Sequence, residues 1–260
     1  MYPVIFRIGP LEIKSYGVML AISFLVGFLI ARNRANRRNI DQGLLLDLCF
    51  YILLSAIIGS RAFYVITHWG QYADSPLAVL SIWEGGLSMM GGILLSLTVS
   101  WLFLKKKGIP FTLMGDILAP SIALGVMLTR IGCFLYGCCY GLPTDLPWGV
   151  QFPPDSAAGS HFGVHIHPAQ LYASGYGLLI FGILNLYDRF APPQGALFGA
   201  LLALYAPARF TLDFFRYYEP DQYVLHSPVM LTNNQLICAV LFVMGVIFIS
   251  SGYRKKGGRT

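Results

Sequence analysis

Long apolar runs broken by short polar segments dominate the chain. Seven runs, at about 16–31, 44–66, 85–104, 113–131, 167–186, 197–215 and 234–250, come close to or exceed the roughly 20 residues a helix needs to cross a bilayer. The pattern predicts an all-α integral membrane protein: seven transmembrane helices in a single membrane-embedded domain over 1–260. Residues 1–15, mixed and proline-containing, read as an interfacial N-terminal arm. Residues 133–165 read as a long outer-face loop. No internal repeat, low-complexity segment or long linker interrupts the series.

The polar segments differ in charge. Arg32, Arg34, Arg37 and Arg38, then Lys105 to Lys107, Arg189, and finally Arg254 to Lys256 occupy alternate segments. The segments between them carry aromatic residues, acids and histidines. Under the positive-inside rule this places the N-terminus outside and the C-terminus in the cytoplasm, with the polar chemistry gathered on the outer face. Composition excludes a soluble domain: 56% of residues are hydrophobic and 12% charged, against about 25% charged in soluble proteins. The net charge of +6 belongs to the ends of the spans and does not point to nucleic acid. The first run lacks a small-residue cleavage site and reads as a retained span.

Four stretches carry candidate chemistry. Thr129-Arg130-Ile131-Gly132-Cys133 through Gly137-Cys138-Cys139-Tyr140-Gly141 sets an arginine at the end of an apolar run, followed by glycines and three of the five cysteines. An arginine there either snorkels to the interface or meets an anion. A glycine-rich turn beside it suits a phosphate, which backbone N–H groups and a guanidinium can share. Cys133, Cys138 and Cys139 read as a loop staple, a strained redox pair or a reactive thiolate beside a cation. Cys49 and Cys238 sit in apolar runs as small core residues. In the second stretch, Tyr205, Arg209, Asp213 and Arg216 fall at helical spacing on one face, so that an arginine of the fourth span and one of the sixth could clamp a single anion. The third, His165-Ile166-His167-Pro168-Ala169-Gln170-Leu171-Tyr172, precedes the fifth span. His161, His165, His167 and the cysteines supply enough ligands for zinc, but their spacing matches no standard zinc pattern. The fourth, 82–92, pairs glycines at both ends of a short apolar segment, as close helix packing also would.

Together these residues resemble the prolipoprotein diacylglyceryl transferases, over nearly the whole chain. The resemblance rests on Ser15-Tyr16-Gly17, Gly59-Ser60-Arg61, Trp83-Glu84-Gly85-Gly86-Leu87-Ser88 with Gly91-Gly92, Arg130-Ile131-Gly132-Cys133-Phe134 through Gly141, His167-Pro168-Ala169-Gln170-Leu171-Tyr172, Tyr205 to Arg216, and Gln235. The chain departs from the family pattern at Met90, Cys133 and Cys138, where the family has histidine, asparagine and glutamate. The resemblance implies a transferase of the bacterial cytoplasmic membrane that moves a diacylglyceryl group from phosphatidylglycerol to the lipobox cysteine of a prolipoprotein signal peptide. It implies catalytic roles for Arg130, Arg209, His167 and Tyr205, and substrate contacts for Tyr16, Arg61, Gly132, Gly141, Gln170, Asp213 and Arg216. It calls for no cofactor and no metal. With methionine at position 90, His167 is the remaining candidate base. A transferase with another acceptor, or a lipid-binding or thiol-redox membrane protein, are the alternatives.

Overall fold

A computed structural model describes residues 2–8, 11–72, 76–81, 85–154, 156–219, 222–225 and 231–257. Seven helices are long and apolar enough to span a membrane: α1 (Ser15–Arg37), α2 (Gln42–Thr67), α3 (Met89–Lys106), α4 (Phe111–Tyr136), α6 (Ala169–Asp188), α7 (Ala196–Leu212) and α8 (Asn233–Gly257). A short α5 (Ala157–Phe162) lies between α4 and α6. The N-terminal arm is an antiparallel hairpin of β1 (Val4–Ile8) and β2 (Leu11–Lys14), and a second small hairpin, β3 (Tyr223–Leu225) with β4 (Leu231–Thr232), leads into α8. The helices leave wide Leu, Ile and Phe faces uncovered, as a lipid solvent allows. α4, α6 and α7 are more deeply buried than α1 and α8. The better-covered three carry most of the polar groups described below.

The chain divides into two compact units, Arg32–Met114 on one side and Met1–Ala31 with Gly115–Thr260 on the other. In the first, α2 and α3 pack backbone to backbone: a Cβ on Gly91 would strike Phe63 and the Gly59 carbonyl. The third span begins at Met89, not at Gly85. Gly85 and Gly86 have φ of 92° and 67°, outside the helical region. Their carbonyls accept from Arg61 Nη1 at 2.8 and 3.1 Å, while Arg61 Nε and Nη2 donate to Val79 and Ala78 at 2.8 and 2.7 Å. Arg61 also stacks on Tyr72, 5.2 Å from the ring centre. Trp83 and Glu84 lie outside the described residues.

In the larger unit, Ala119 and Ala123 of α4, Ile180 and Leu184 of α6, and Leu197 and Leu201 of α7 form the apolar core. Within α4, Pro120 is fully buried and the helix continues through it. Asp116, also on α4 and 1% exposed, caps α7 by accepting from the N–H groups of Gly195 and Phe198 at 2.7 and 2.8 Å. An anionic acceptor at a helix N-terminus satisfies orphan donors and favours the helix dipole. Asp116→Ala is expected to lower stability by about 1–2 kcal/mol, read as an earlier thermal midpoint in detergent; an unchanged midpoint counts against the cap. At the other end of the bundle α8 opens with a reciprocal box. Gln235 N–H donates to Thr232 Oγ1 at 3.2 Å, and Thr232 N–H donates to Gln235 Oε1 at 2.9 Å. That box accounts for the glutamine opening the last span.

Candidate functional site

α4 runs to Tyr136, so Arg130 stands more than a turn inside a helix rather than at its end, and Cys133 is helical too. The helix is stopped by Gly137, at φ 84°. There the Cys133 carbonyl accepts from both Gly137 and Cys138 N–H groups, at 2.9 and 3.1 Å. This is the six-to-one closure of a glycine C-cap, which sets the second residue past the helix end over the last turn. In most such caps that contact is between apolar side chains; here it is between thiols. Cys139, at φ 59°, turns left-handed in its turn. The Sγ atoms of Cys133, Cys138 and Cys139 all lie within 4.8 Å of one another. All five cysteines are free thiols, so the loop is not stapled. Hydrogen bonds from the Cys133 and Cys138 thiols, helped by Arg216 and Arg130, hold the Cys139 thiol well below the usual thiol range.

Arg130 is half-buried. Among the described residues its guanidinium has no carboxylate or hydrogen-bond partner; it interacts electrostatically with Cys139, Cys133, Tyr176 and Tyr205. Tyr16 of α1 faces the same thiols and the same arginine. Tyr205 meets Tyr176 edge to face, with centroids 5.9 Å apart. The buried Tyr176 hydroxyl has no partner in hydrogen-bond geometry, and Tyr205, Arg130 and Arg209 are its polar neighbours. Tyr176 was not singled out in the sequence. The signal for it is its place on the inward stripe Ala169, Ala173, Tyr176, Ile180, Leu184, at the three- and four-residue spacings of a helix face.

Arg209 is 6% exposed and paired with Asp213, four residues on. The Asp213 carboxylate also accepts from Tyr218 at 2.7 Å and from Thr232 at 2.9 Å. Tyr218 in turn accepts from Arg209 Nη2 at 2.7 Å and from Asn234 at 3.1 Å. Asp213 is thus a node that ties α7 to the start of α8 and holds Arg209 in place. The expected single helical face for Arg209, Asp213 and Arg216 does not extend to Arg216. α7 ends at Leu212, a 3-10 turn covers Asp213–Phe215, and Arg216 is extended with ψ 142°. That turn swings Arg216 toward Cys139, its guanidinium 5.0 Å over the Tyr218 ring and its buried Nε unpartnered.

His167 lies just ahead of α6, where Nδ1 meets the Tyr172 hydroxyl at 3.2 Å and the ring packs on Phe215 at 5.2 Å. Trp148 donates to the same hydroxyl at 2.8 Å. Burial lowers the His167 pKa, so the imidazole is neutral at neutral pH. Gln170, 1% exposed, donates to the Cys138 carbonyl at 2.7 Å and so pins the thiol-bearing turn.

The two site glycines are explained by close approach. A Cβ on Gly132 would lie 2.7 Å from Met19 Cβ and 3.4 Å from Tyr16 Cα, so its absence lets α1 and Tyr16 reach α4. One on Gly141 would lie 2.7 Å from both His167 Cβ and the Phe215 carbonyl. Around Gly141 the backbone knits three segments: Leu142 N–H to Phe215 O at 3.0 Å, His167 N–H to Leu142 O at 2.9 Å, and Tyr217 N–H to Tyr140 O at 3.2 Å. Gly141→Ala must part these strands and is expected to cost about 1–3 kcal/mol and to displace both His167 and the turn. A variant as stable as the parent would show that the close approach is not a constraint.

Seven apolar spans, with a half-buried arginine that has no carboxylate partner among the described residues and a cluster of tyrosines, thiols and further arginines in the larger unit, define a polytopic membrane protein. The chain belongs to the prolipoprotein diacylglyceryl transferase family: the family model matches residues 3–251. It is 35% identical over 270 residues to the phosphatidylglycerol–prolipoprotein diacylglyceryl transferase of Cupriavidus metallidurans, covering 99% of this chain and 96% of that protein. The enzyme of the same name from Geobacter sulfurreducens is 34% identical over 260 residues, covering 98% and 97%. That from Pseudoalteromonas atlantica is 35% identical over 260 residues, covering 98% and 90%.

Proposed function

We propose that this chain transfers the diacylglyceryl group of phosphatidylglycerol to the lipobox cysteine thiol of prolipoproteins, releasing glycerol phosphate. It does so at the outer face of the bacterial cytoplasmic membrane, with the N-terminus outside and the C-terminus inside. The observation that carries the reading is Arg130: a guanidinium in a half-buried place with no carboxylate paired to it among the described residues. Such a charge within a span is costly unless an anionic group meets it. The basic last turns of α1, α3 and α8 support the orientation.

In the reaction the acceptor sulfur attacks the glyceryl carbon that bears the phosphate ester. The C–S bond forms, the C–O bond breaks, and negative charge accumulates on the departing phosphate. Arg130 meets that charge directly, and Arg209, fixed by Asp213 and Tyr218, adds its field from behind Tyr176 and Tyr205. Tyr16 and Tyr205 orient the headgroup. His167, neutral and steered by Tyr172, takes the thiol proton. Purified protein incubated with phosphatidylglycerol and a lipobox peptide should yield the diacylglyceryl thioether and glycerol phosphate in equal amounts by mass spectrometry. A peptide with serine for the cysteine should yield neither. Absence of the thioether under conditions in which a relative forms it would overturn the reading.

A further inference from the structure

We propose that Cys133, Cys138 and Cys139 form a three-thiolate site for zinc or a similar thiophilic divalent metal, whose fourth coordination position takes the acceptor thiol. The binding site stands on geometry alone; its role in the reaction rests on the transfer reading above. A disulfide needs two sulfurs, and here three converge within 4.8 Å. Zinc–thiolate bonds of about 2.3 Å in a tetrahedron set sulfurs about 3.8 Å apart, so small side-chain rotations close the ring. Among the described residues the group contains no histidine or carboxylate. The protein therefore offers three ligands, the number typical of zinc sites that keep a position open for chemistry.

The backbone is arranged for this cluster. The C-cap at Gly137 folds Cys138 back over Cys133, the left-handed Cys139 adds the third thiol, and Gln170 fixes the turn through the Cys138 carbonyl. Arg216 and Arg130 face Cys139. They offset the net negative charge of a divalent ion bound by three thiolates.

A metal-bound thiol is deprotonated and is held as a nucleophile. The acceptor cysteine would bind as the fourth ligand and release its proton to His167 and then to solvent. Its sulfur would form the new C–S bond while the phosphate departs toward Arg130, which borders the same thiols. The metal is neither oxidised nor reduced, and the thioether product, a poor ligand beside a thiolate, leaves the position open.

The test uses the full-length protein in detergent, purified under reductant, stripped of metal and titrated with Co²⁺ as a zinc probe. Roughly one equivalent should bind with a thiolate-to-cobalt charge-transfer band and tetrahedral ligand-field bands. The spectrum should persist in Cys49→Ala and Cys238→Ala and be lost in Cys138→Ser and Cys139→Ser. Adding a lipobox peptide should shift it, while the peptide with serine should not. Failure of the stripped, reduced wild type to bind Co²⁺, or recovery of a disulfide among the three cysteines under reductant, would overturn the site. Zinc-free protein should transfer lipid about 10²-fold more slowly than zinc-loaded protein. Equal rates would overturn the catalytic role and leave the transfer reading intact. Cobalt binding without lipid transfer in any metal state would sink the transfer reading and leave the metal site.

Discussion

Arg130→Ala is expected to lower kcat/KM for diacylglyceryl transfer by about 10²- to 10³-fold, the range found when one donor to a developing anion is removed. The folded protein should survive the change. No carboxylate is paired with Arg130 among the described residues, so its loss orphans no buried carboxylate. The variant should keep its thermal midpoint and its elution position in detergent. Arg130→Lys should restore a minor share of the rate, because an ammonium lacks the planar fork that meets two phosphate oxygens. An Arg130→Ala enzyme of parental activity would mean that the leaving phosphate is stabilised elsewhere.

Arg209 should respond differently, losing stability as well as transfer, although it is the same residue type. It is buried against Asp213, and that carboxylate also receives Tyr218 and Thr232. Arg209→Ala leaves a buried carboxylate without its counterion, and Asp213→Ala leaves a buried guanidinium. Each is expected to cost about 3–5 kcal/mol of stability, with loss of transfer because the start of α8 and Tyr218 lose their anchor. The double variant should cost less than the sum of the two, with a coupling of about 0.5–3 kcal/mol. The thermal midpoints of the four proteins measure this cycle. Strict additivity would show that the pair is not energetically coupled. Tyr218→Phe removes one hydrogen-bonding hydroxyl and keeps the ring under Arg216, so it should fall between the parent and the single variants.

The contrast between the two arginines could not be read from their local sequences. Both lie near the ends of apolar runs, and the sequence offers both as clamps on one anion. What separates them is that the 3-10 turn after Leu212 and the capping box at Thr232 bring Asp213, Tyr218 and Thr232 around Arg209 alone. Likewise Arg61, Gly132 and Gly141 were legible as special positions, but their uses were not. Arg61 is saturated by four backbone carbonyls within its own unit, and the two glycines serve close approach. Tyr218 and Thr232 carry no periodic or spacing signal, because each is a lone residue in the polar segment between α7 and α8.

The sequence by itself determined the seven spans, the alternation of basic segments and the family motifs. These depend on length, hydropathy and residue order, which are properties of short stretches. It also showed three cysteines within seven residues. Only the tertiary structure decided what they make. A helix that runs on to Tyr136 and then closes through Gly137 puts Cys138 against Cys133, and a left-handed residue brings in Cys139. Spacing alone leaves a staple, a redox pair and a reactive thiol open. The direction in which each sulfur points is set by the helix cap, by Gln170 from another helix and by the arginines around the turn, and those contacts exist only once the helices have packed.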